Sequence, residues 1–363
     1  MSKAHYIIPI FVPHEGCPHD CVFCNQNSIT GTSTKVDAMY VEQTVNEYLR
    51  TIKSDNATIE VSFFGGTFTA INMEKQIELL EVAKKFKDSN KIRFIRLSTR
   101  PDYIDDNILI NLKKYSVDII ELGVQSLDEE VLLKSGRGHT VKDVEHASKL
   151  IKQYGFTLGH QIMIGLPGDN MNKDIETAKG VIALKPDICR IYPALIIKDT
   201  HMENMYVEGQ FKPYSLNEAV DISKVIYMMM ISNQINVIRI GLQPTEEISE
   251  GNDLVAGPFH PAFRELVEGS IYNDMLYDAI INNIIGDISL NKILVKINPK
   301  DISRLYANGK SFFYDIKKQI KADSIDIFQD ITTERGSINV FIGEKCIIMS
   351  IYDYACRKYK KGF

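Results

Sequence analysis

The sequence predicts an α/β fold built on a parallel sheet, either doubly wound or closing toward a barrel, followed by a small α+β domain. Three observations carry this. Short β-rich runs alternate with helical periodicity as far as residue 241, the pattern of repeated βα units. That alternation stops near residue 285, where turn signals such as Asn308-Gly309 and Gly309-Lys310 cluster. Charge is also uneven: residues 291–363 hold 14 Lys and Arg against 8 Asp and Glu, a balance of +6, so with a net charge of −5 the remainder carries −11. An acidic body joined to a basic segment predicts two domains, 1–285 and 286–363.

The strand candidates are short runs rich in branched and aromatic residues: His5–Val12, Thr58–Phe63, Ile92–Leu97, Asp118–Val124, Thr157–Ile164, Ile188–Ala194 and Val237–Ile240. Between them, apolar residues recur at helical spacing in Val41–Ile52, Met73–Phe86, Asp105–Lys114, Val141–Tyr154, Lys173–Ala183 and Leu216–Ile231. Asp105 and Thr140 suit N-caps, and Gly155 suits a helix stop. After residue 285 the order changes to a strand (Ile293–Ile297), two helices (Lys300–Ala307 and Phe312–Ile320) and two strands (Ile325–Gln329 and Ile338–Ile342). The second of these turns back through Cys346–Ile351, and a basic helical end follows at Tyr354–Lys361.

A chain of 363 residues buries a core without a disulfide framework. Its longest apolar stretch, near Val225–Ile231, is about a third of a membrane span. No charged-then-apolar leader opens it, so a soluble cytoplasmic protein is expected. Of six cysteines, Cys17, Cys21 and Cys24 fall within eight residues, while Cys189, Cys346 and Cys356 are scattered. A tight trio in such a chain reads as a metal site.

The trio follows the first strand directly, in Gly16-Cys17-Pro18-His19-Asp20-Cys21-Val22-Phe23-Cys24-Asn25, with spacing C-x3-C-x2-C. Three thiolates on one loop bind three irons of a cubane and leave the fourth open, whereas the usual fully ligated cluster takes four Cys. S-adenosylmethionine (SAM) can supply the missing ligand through its amino and carboxylate groups, and one electron passed to its sulfonium would release a carbon radical. Three other readings remain at this point: a zinc site completed by His14 or His19, a redox dithiol, and buried inert cysteines.

The trio, with an aromatic before its last Cys, resembles the radical SAM superfamily. Four further blocks agree in order. Phe63-Phe64-Gly65-Gly66-Thr67-Phe68 ends the second strand, where the family keeps a Gly-Gly pair facing the methionine amino group, a close approach that a Cβ would block. Ser98-Thr99-Arg100-Pro101-Asp102 ends the third strand, Glu121-Leu122-Gly123-Val124-Gln125-Ser126 ends the fourth, and Ser135-Gly136-Arg137-Gly138-His139-Thr140 follows. These are similar to the Elongator protein 3 branch and the oxygen-independent coproporphyrinogen dehydrogenase branch. The resemblance implies that Gly65, Gly66 and Thr67 border the methionine moiety and that Ser98 and Gln125 face the ribose. It implies that Arg137 pairs with the carboxylate. Ile164 and Gly165, at the end of the fifth strand, border the adenine. The same resemblance implies that Tyr192, in Arg190-Ile191-Tyr192-Pro193-Ala194, lines the substrate pocket or donates a hydrogen atom. Against these stand a solvated Arg137, a capping amide at Gln125 and plain packing for Tyr192.

The resemblance covers residues 5–245 and implies a partial (β/α)6 TIM-type barrel with a [4Fe-4S] cluster, SAM, and an electron donor such as flavodoxin or ferredoxin. The blocks fall at C-terminal strand ends, where parallel βα folds build their sites. The acetyltransferase domain of Elongator protein 3 has no match here. Lys292–Phe328 has the order of a KH-like RNA-binding module, which clamps a nucleic-acid backbone with a G-x-x-G turn. Here the turn reads Tyr306-Ala307-Asn308-Gly309 before Lys310, with only the second glycine. A generic α/β cap is the other reading. Gly309, Lys310, Lys317, Lys318 and Lys321 form an RNA-facing stripe or a solvated face.

Together these observations predict a radical SAM enzyme that cleaves SAM reductively to a 5′-deoxyadenosyl radical and acts on tRNA or other RNA. Two alternatives are a radical enzyme for a small molecule such as a tetrapyrrole, and a non-catalytic RNA-binding protein with a structural zinc.

Overall fold

Strand and helix alternate through the first two hundred residues of the computed structural model, which describes residues 5–12, 17, 19–25, 36–54, 56–242, 252–282, 292–320 and 322–359. The order is β1 (His5–Val12), α1 (Ala38–Thr51), β2 (Thr58–Gly65), α2 (Met73–Asp88), β3 (Phe94–Thr99), α3 (Asp106–Lys114), β4 (Ile119–Gln125), α4 (Glu129–Lys134), α5 (Val141–Gln153), β5 (Thr157–Ile164), α6 (Met171–Leu184) and β6 (Ile188–Pro193). The six strands run parallel and lie side by side in sequence order.

The helices begin where short polar side chains satisfy free N–H groups. Asp105 accepts from the Ile108 N–H at 2.8 Å, and Thr140 forms a capping box with Asp143. Gly155, at φ +74°, ends the turn after α5, with its N–H on the Lys152 carbonyl. All three were expected from sequence.

Strand alternation divides the sheet into two faces. One packs Ile8, Ile10, Val61, Ile95, Leu97, Ile120 and Ile191 out of water. The other carries Glu60, Arg96, Glu121 and Arg190, all buried. The Arg190 guanidinium of β6 lies 5.4 Å from the Phe64 ring of β2. In a flat sheet those strands would be about 19 Å apart, four spacings of roughly 4.8 Å. The sheet therefore curls into a partial barrel with the charged face inside.

Two compact units result: 1–213 with 243–257, and 214–242 with 258–363. The division departs from the expected boundary near 285, which falls outside the described residues. Packing assigns α8 (Leu216–Ser232), β8 (Asn236–Ile240) and α9 (Phe263–Ile281) to the second unit. Three short elements complete the first unit: β7 (Ile196–Ile197), α7 (His201–Val207) and β9 (Leu254–Ala256), with β7 and β9 paired antiparallel. Helix α9 carries no clear amphipathic stripe because successive residues around it, Leu266, Val267, Glu268 and Gly269, are all buried. That is why periodicity did not reveal it.

The rest of the second unit is α+β. It comprises β10 (Lys292–Ile297), α10 (Ile302–Leu305), α11 (Ser311–Ile320), β11 (Ser324–Gln329), β12 (Ser337–Ile342), β13 (Lys345–Ser350) and α12 (Ile351–Tyr359), with sheet order β11-β10-β12-β13. Among the described residues, no helix is long and apolar enough to cross a membrane.

Candidate functional site

The described part of the loop after β1 makes a backbone bond to the residue that follows α4 and another within itself. The Val22 N–H donates to the Ser135 carbonyl at 3.1 Å, and the Cys24 N–H donates to the Cys21 carbonyl at 2.9 Å. Cys21 is buried, Cys17 and Cys24 are partly exposed, and none of the three is in a disulfide. Arg137 Nη1 lies 3.3 Å from Cys21 Sγ and Arg100 Nη1 lies 4.0 Å from it. Two guanidinium groups thus stand at one sulfur of the trio. Burial works against the Arg100 charge, but Asp102, Cys21 and Cys17 outweigh it and raise its pKa. Asp102 holds Arg100 through two contacts of 2.9 Å, and Arg100 Nη2 also donates to the Arg137 carbonyl.

Arg137 is buried, so the solvated reading fails. Its Nη2 donates to the Gly123 carbonyl at 2.7 Å, and its Nε is buried without a hydrogen-bond partner. An orphaned guanidinium N–H beside the trio suits an anionic group brought to the site. Gly138, at φ +73°, lets the chain pass the His19 ring, where an added Cβ would come within 2.2 Å of Cε1. His19 turns instead toward Asp102, with Nε2 3.8 Å from Oδ2. The other zinc candidate, His14, lies outside the described residues, as do Gly16 and Pro18. Among the described residues no three His, Cys, Asp or Glu side chains are gathered into a ready metal-ligand set. The fit therefore rests on donor chemistry: three thiols on one loop, with positive charge at Cys21.

Gly65 has φ +109°, and a Cβ there would sit 2.4 Å from the Val12 carbonyl oxygen. Gly66 donates its N–H to that same oxygen at 3.2 Å. The expectation that a ligand's approach demands glycine at 65 needs amending, because the end of β1 already demands it. Thr67 is buried beside them. Gln125 sits after a bulge in β4 at φ +64°, a costly conformation for a non-glycine residue. Its Oε1 accepts from Gln161 Nε2 at 3.2 Å. Ser98 Oγ approaches Glu121 Oε2 at 3.4 Å. Ile164 is buried, and Gly165, at φ +70°, directs its N–H to Asp174 Oδ1 at 3.4 Å.

Tyr192 packs with Val22 and Phe23 of the cysteine loop against Met163, Leu166, Ile196 and Met202, as the packing reading holds. Its hydroxyl also accepts from Arg190 Nη1 at 3.1 Å. Sequence reasoning missed the layer beneath. Arg96 Nη1 meets Glu121 Oε1 at 2.6 Å, Arg190 Nε meets the same oxygen at 3.1 Å, and Arg96 Nη2 meets Glu60 Oε2 at 3.1 Å. The available signal was a lone charged residue in the middle of four of the six strands, β2, β3, β4 and β6. Arg100 was also missed, although it lies inside a block already singled out. Cys189 faces the other way, fully buried, and burial together with Glu121 pushes its thiol up to about 12. It is an inert core residue.

In the second unit, Gly309 (φ +58°) is exposed between Asn308 and Lys310, which also have positive φ. Lys310 Nζ stands 4.8 Å over the Tyr306 ring, and Lys317 and Lys318 are exposed in the last turn of α11. Lys321 lies outside the described residues.

Comparison with known proteins assigns two family matches along the chain. Residues 11–179 match the radical SAM superfamily, and residues 186–273 match the radical SAM C-terminal domain. A tRNA uridine(34) acetyltransferase of Methanocaldococcus jannaschii is 29% identical over 255 residues, covering 60% of this chain and 47% of that protein. Elongator complex protein 3 of Homo sapiens is 31% identical over 196 residues, covering 48% of this chain and 36% of that protein. The structure of Methanocaldococcus infernus Elp3 with an N-terminal deletion superposes with a TM-score of 0.61 at 21% identity, over 97% of this chain and 76% of that one; this likeness speaks to fold. The chain spans about half the length of the tRNA uridine(34) acetyltransferases it matches. Cysteine loop, curled parallel sheet and sequence likeness converge: the chain is an enzyme of the radical SAM superfamily, homologous over its radical SAM portion to the Elongator protein 3 family.

Proposed function

We propose that this enzyme holds one [4Fe-4S] cluster on Cys17, Cys21 and Cys24, binds SAM at the strand ends, and modifies a base of tRNA or other RNA. The observation that carries the reading is the pair of guanidinium groups converging on Cys21 Sγ at the C-terminal mouth of the partial barrel. When bound, the cluster and SAM together supply an electron and a carbon radical. The chain's own residues bind and orient. Arg137, with one free N–H and two anchored nitrogens, positions a carboxylate. Gln125 and Ser98 offer polar atoms to a ribose, Gly65, Gly66 and Thr67 border the methionine end, and Ile164 with Gly165 supplies an apolar edge for the adenine. Tyr192 stands at the substrate side, its hydroxyl held by Arg190.

The RNA substrate is supported by two facts of different kinds. Relatives carry the name tRNA uridine(34) acetyltransferase, and residues 291–363 carry a surplus of six positive charges. The turn at Asn308–Lys310, with Lys317 and Lys318, is the element a KH-like clamp would use on an RNA backbone. Flavodoxin or ferredoxin suits the role of electron donor.

Two experiments test the proposal. Anaerobic reconstitution gives iron and sulfide on the wild-type chain and 5′-deoxyadenosine when dithionite and SAM are added. Zinc without iron overturns the cluster. Nucleoside mass spectrometry of tRNA from cells with and without the protein shows a changed nucleoside. An unchanged profile overturns the RNA substrate and leaves a small molecule.

A further inference from the structure

The four-stranded sheet of the second unit has one face that nothing in the unit's core requires. Ile293, Val295, Ile338 and Val340 point to one side and are fully buried. The residues between them point the other way. Register places Phe328, Lys296, Asn339 and Ile348 in one row across β11, β10, β12 and β13. Leu294 and Phe341 lie in the next row. Phe328 is 53% exposed and Ile348 72%. Lys296 is the register partner of Phe328, and its Nζ stands 5.6 Å over the Phe341 ring. The face thus interleaves two aromatic rings with a lysine.

We propose that this open sheet face binds unpaired RNA bases, with Phe328 and Phe341 as stacking platforms and Lys296 as a phosphate contact. This rests on the RNA reading above and adds a second surface to it, separate from the turn at Gly309. Three considerations select the occupant. Aromatic rings on an open sheet accept any base, because every base has a π-face. The rings lie on strands two apart and one row apart, about 10–12 Å, so they take two different bases. The stretch of sequence that includes the sheet, 291–363, carries +6, a sign that complements a phosphate backbone. Lys296 and Lys292 are held by Asp330 and Asp326 at 3.2 Å each. Such surface pairs are weak, so a phosphate exchanges with them readily.

The test uses the full chain and a fluorescein-labelled single-stranded oligouridylate, read by anisotropy across a salt series. Phe328→Ala and Phe341→Ala each weaken binding roughly fivefold to a hundredfold, with the salt slope unchanged. Phe328→Trp retains the affinity. Lys296→Ala lowers the salt slope by about one. Unchanged affinity in the double alanine variant, with its circular dichroism and iron content intact, overturns the proposal. So does wild-type dimerisation in sedimentation equilibrium that the double variant abolishes without any change in RNA binding. The substrate reading fails separately, if the tRNA nucleoside profile is unchanged by removal of the protein.

Discussion

Replacing Glu121 with Gln tests the account of the barrel interior most directly. The Glu121 carboxylate is 4% exposed and answers two guanidinium groups, Arg96 at 2.6 Å and Arg190 at 3.1 Å, which are 4% and 8% exposed. Burial disfavours the Arg190 charge, but Glu121 and Tyr192 together outweigh it and raise the pKa above the ordinary arginine value. Gln keeps the shape and one acceptor but removes the charge, leaving two buried cations with Glu60 as their one buried counter-ion in this layer. Breaking a buried pair this way costs about 3–5 kcal/mol. At about 2–4 °C per kcal/mol for a unit of this size, melting falls by roughly 6–20 °C. Urea unfolding with an unchanged m value measures the loss. An exposed pair such as Lys84–Asp88, at 2.6 Å with side chains 33% and 59% exposed, gives the contrast: Asp88→Ala costs less than about 1 kcal/mol. If Glu121→Gln costs no more than Asp88→Ala, the four charges do not form the interacting layer described here.

Three further outcomes follow from the geometry. Cys24→Ala leaves the fold intact, by circular dichroism, and lowers iron per chain after reconstitution to background; iron retained at the wild-type level removes Cys24 from the ligand set. Gly138→Ala combines a left-handed backbone, costing about 1–2 kcal/mol, with a collision against the His19 ring at 2.2 Å. It therefore loses more stability in urea than Gly309→Ala, where φ is +58° and a Cβ meets nothing within 4 Å; equal losses refute the contact. His160 is fully buried beside Ser148 at 2.9 Å, and burial, then Lys152, lowers its pKa to about 3. Because the folded value lies below the unfolded one, stability is full above about pH 6.5 and falls as pH drops toward the folded value. The loss is on the order of 2 kcal/mol by pH 5. His160→Gln flattens that part of the pH profile of urea unfolding, and an identical slope in both proteins excludes His160 as its source.

How much was legible in the sequence follows from which forces act locally. Strands β1 to β6, the caps at Asp105 and Thr140 and the stop at Gly155 could be read because alternation and capping depend on residues a few positions apart. Helix α9 was not, since a helix buried on all sides loses the periodicity that marks an amphipathic one. The division into units depended on packing between segments distant in sequence, so a charge gradient could not locate it. At the site, the cysteine spacing was explicit, but the contact of Arg100 and Arg137 with Cys21 joins residues 79 and 116 positions apart. For Gly65 the residue type was readable and its cause was not: the obstructing atom is the carbonyl of Val12, 53 positions earlier.

The charged layer also explains how an unclosed sheet can present a defined site. A closed barrel fills its interior with stacked apolar side chains; a curled sheet with an open side keeps part of its interior near water. Here Glu60, Arg96, Glu121 and Arg190 fill that space with mutually neutralising groups, and Arg190 covers the Phe64 ring. Side chains two positions apart on a strand share a face, so three of the four charged residues stand one step below a residue of the candidate site. Ser98 follows Arg96, and Tyr192 follows Arg190. Gly123, whose carbonyl receives Arg137, follows Glu121. The bonds from Ser98 and Tyr192 run down into the layer, and Gly159 leaves the space that Glu121 occupies, since a Cβ there would come within 2.7 Å of its Cγ. Rigid support of this kind is what holding a bound group in fixed geometry requires. A substitution in the layer is therefore expected to act on the site through stability and position together, whereas the role proposed for Arg137 predicts that a substitution there acts on the bound group directly.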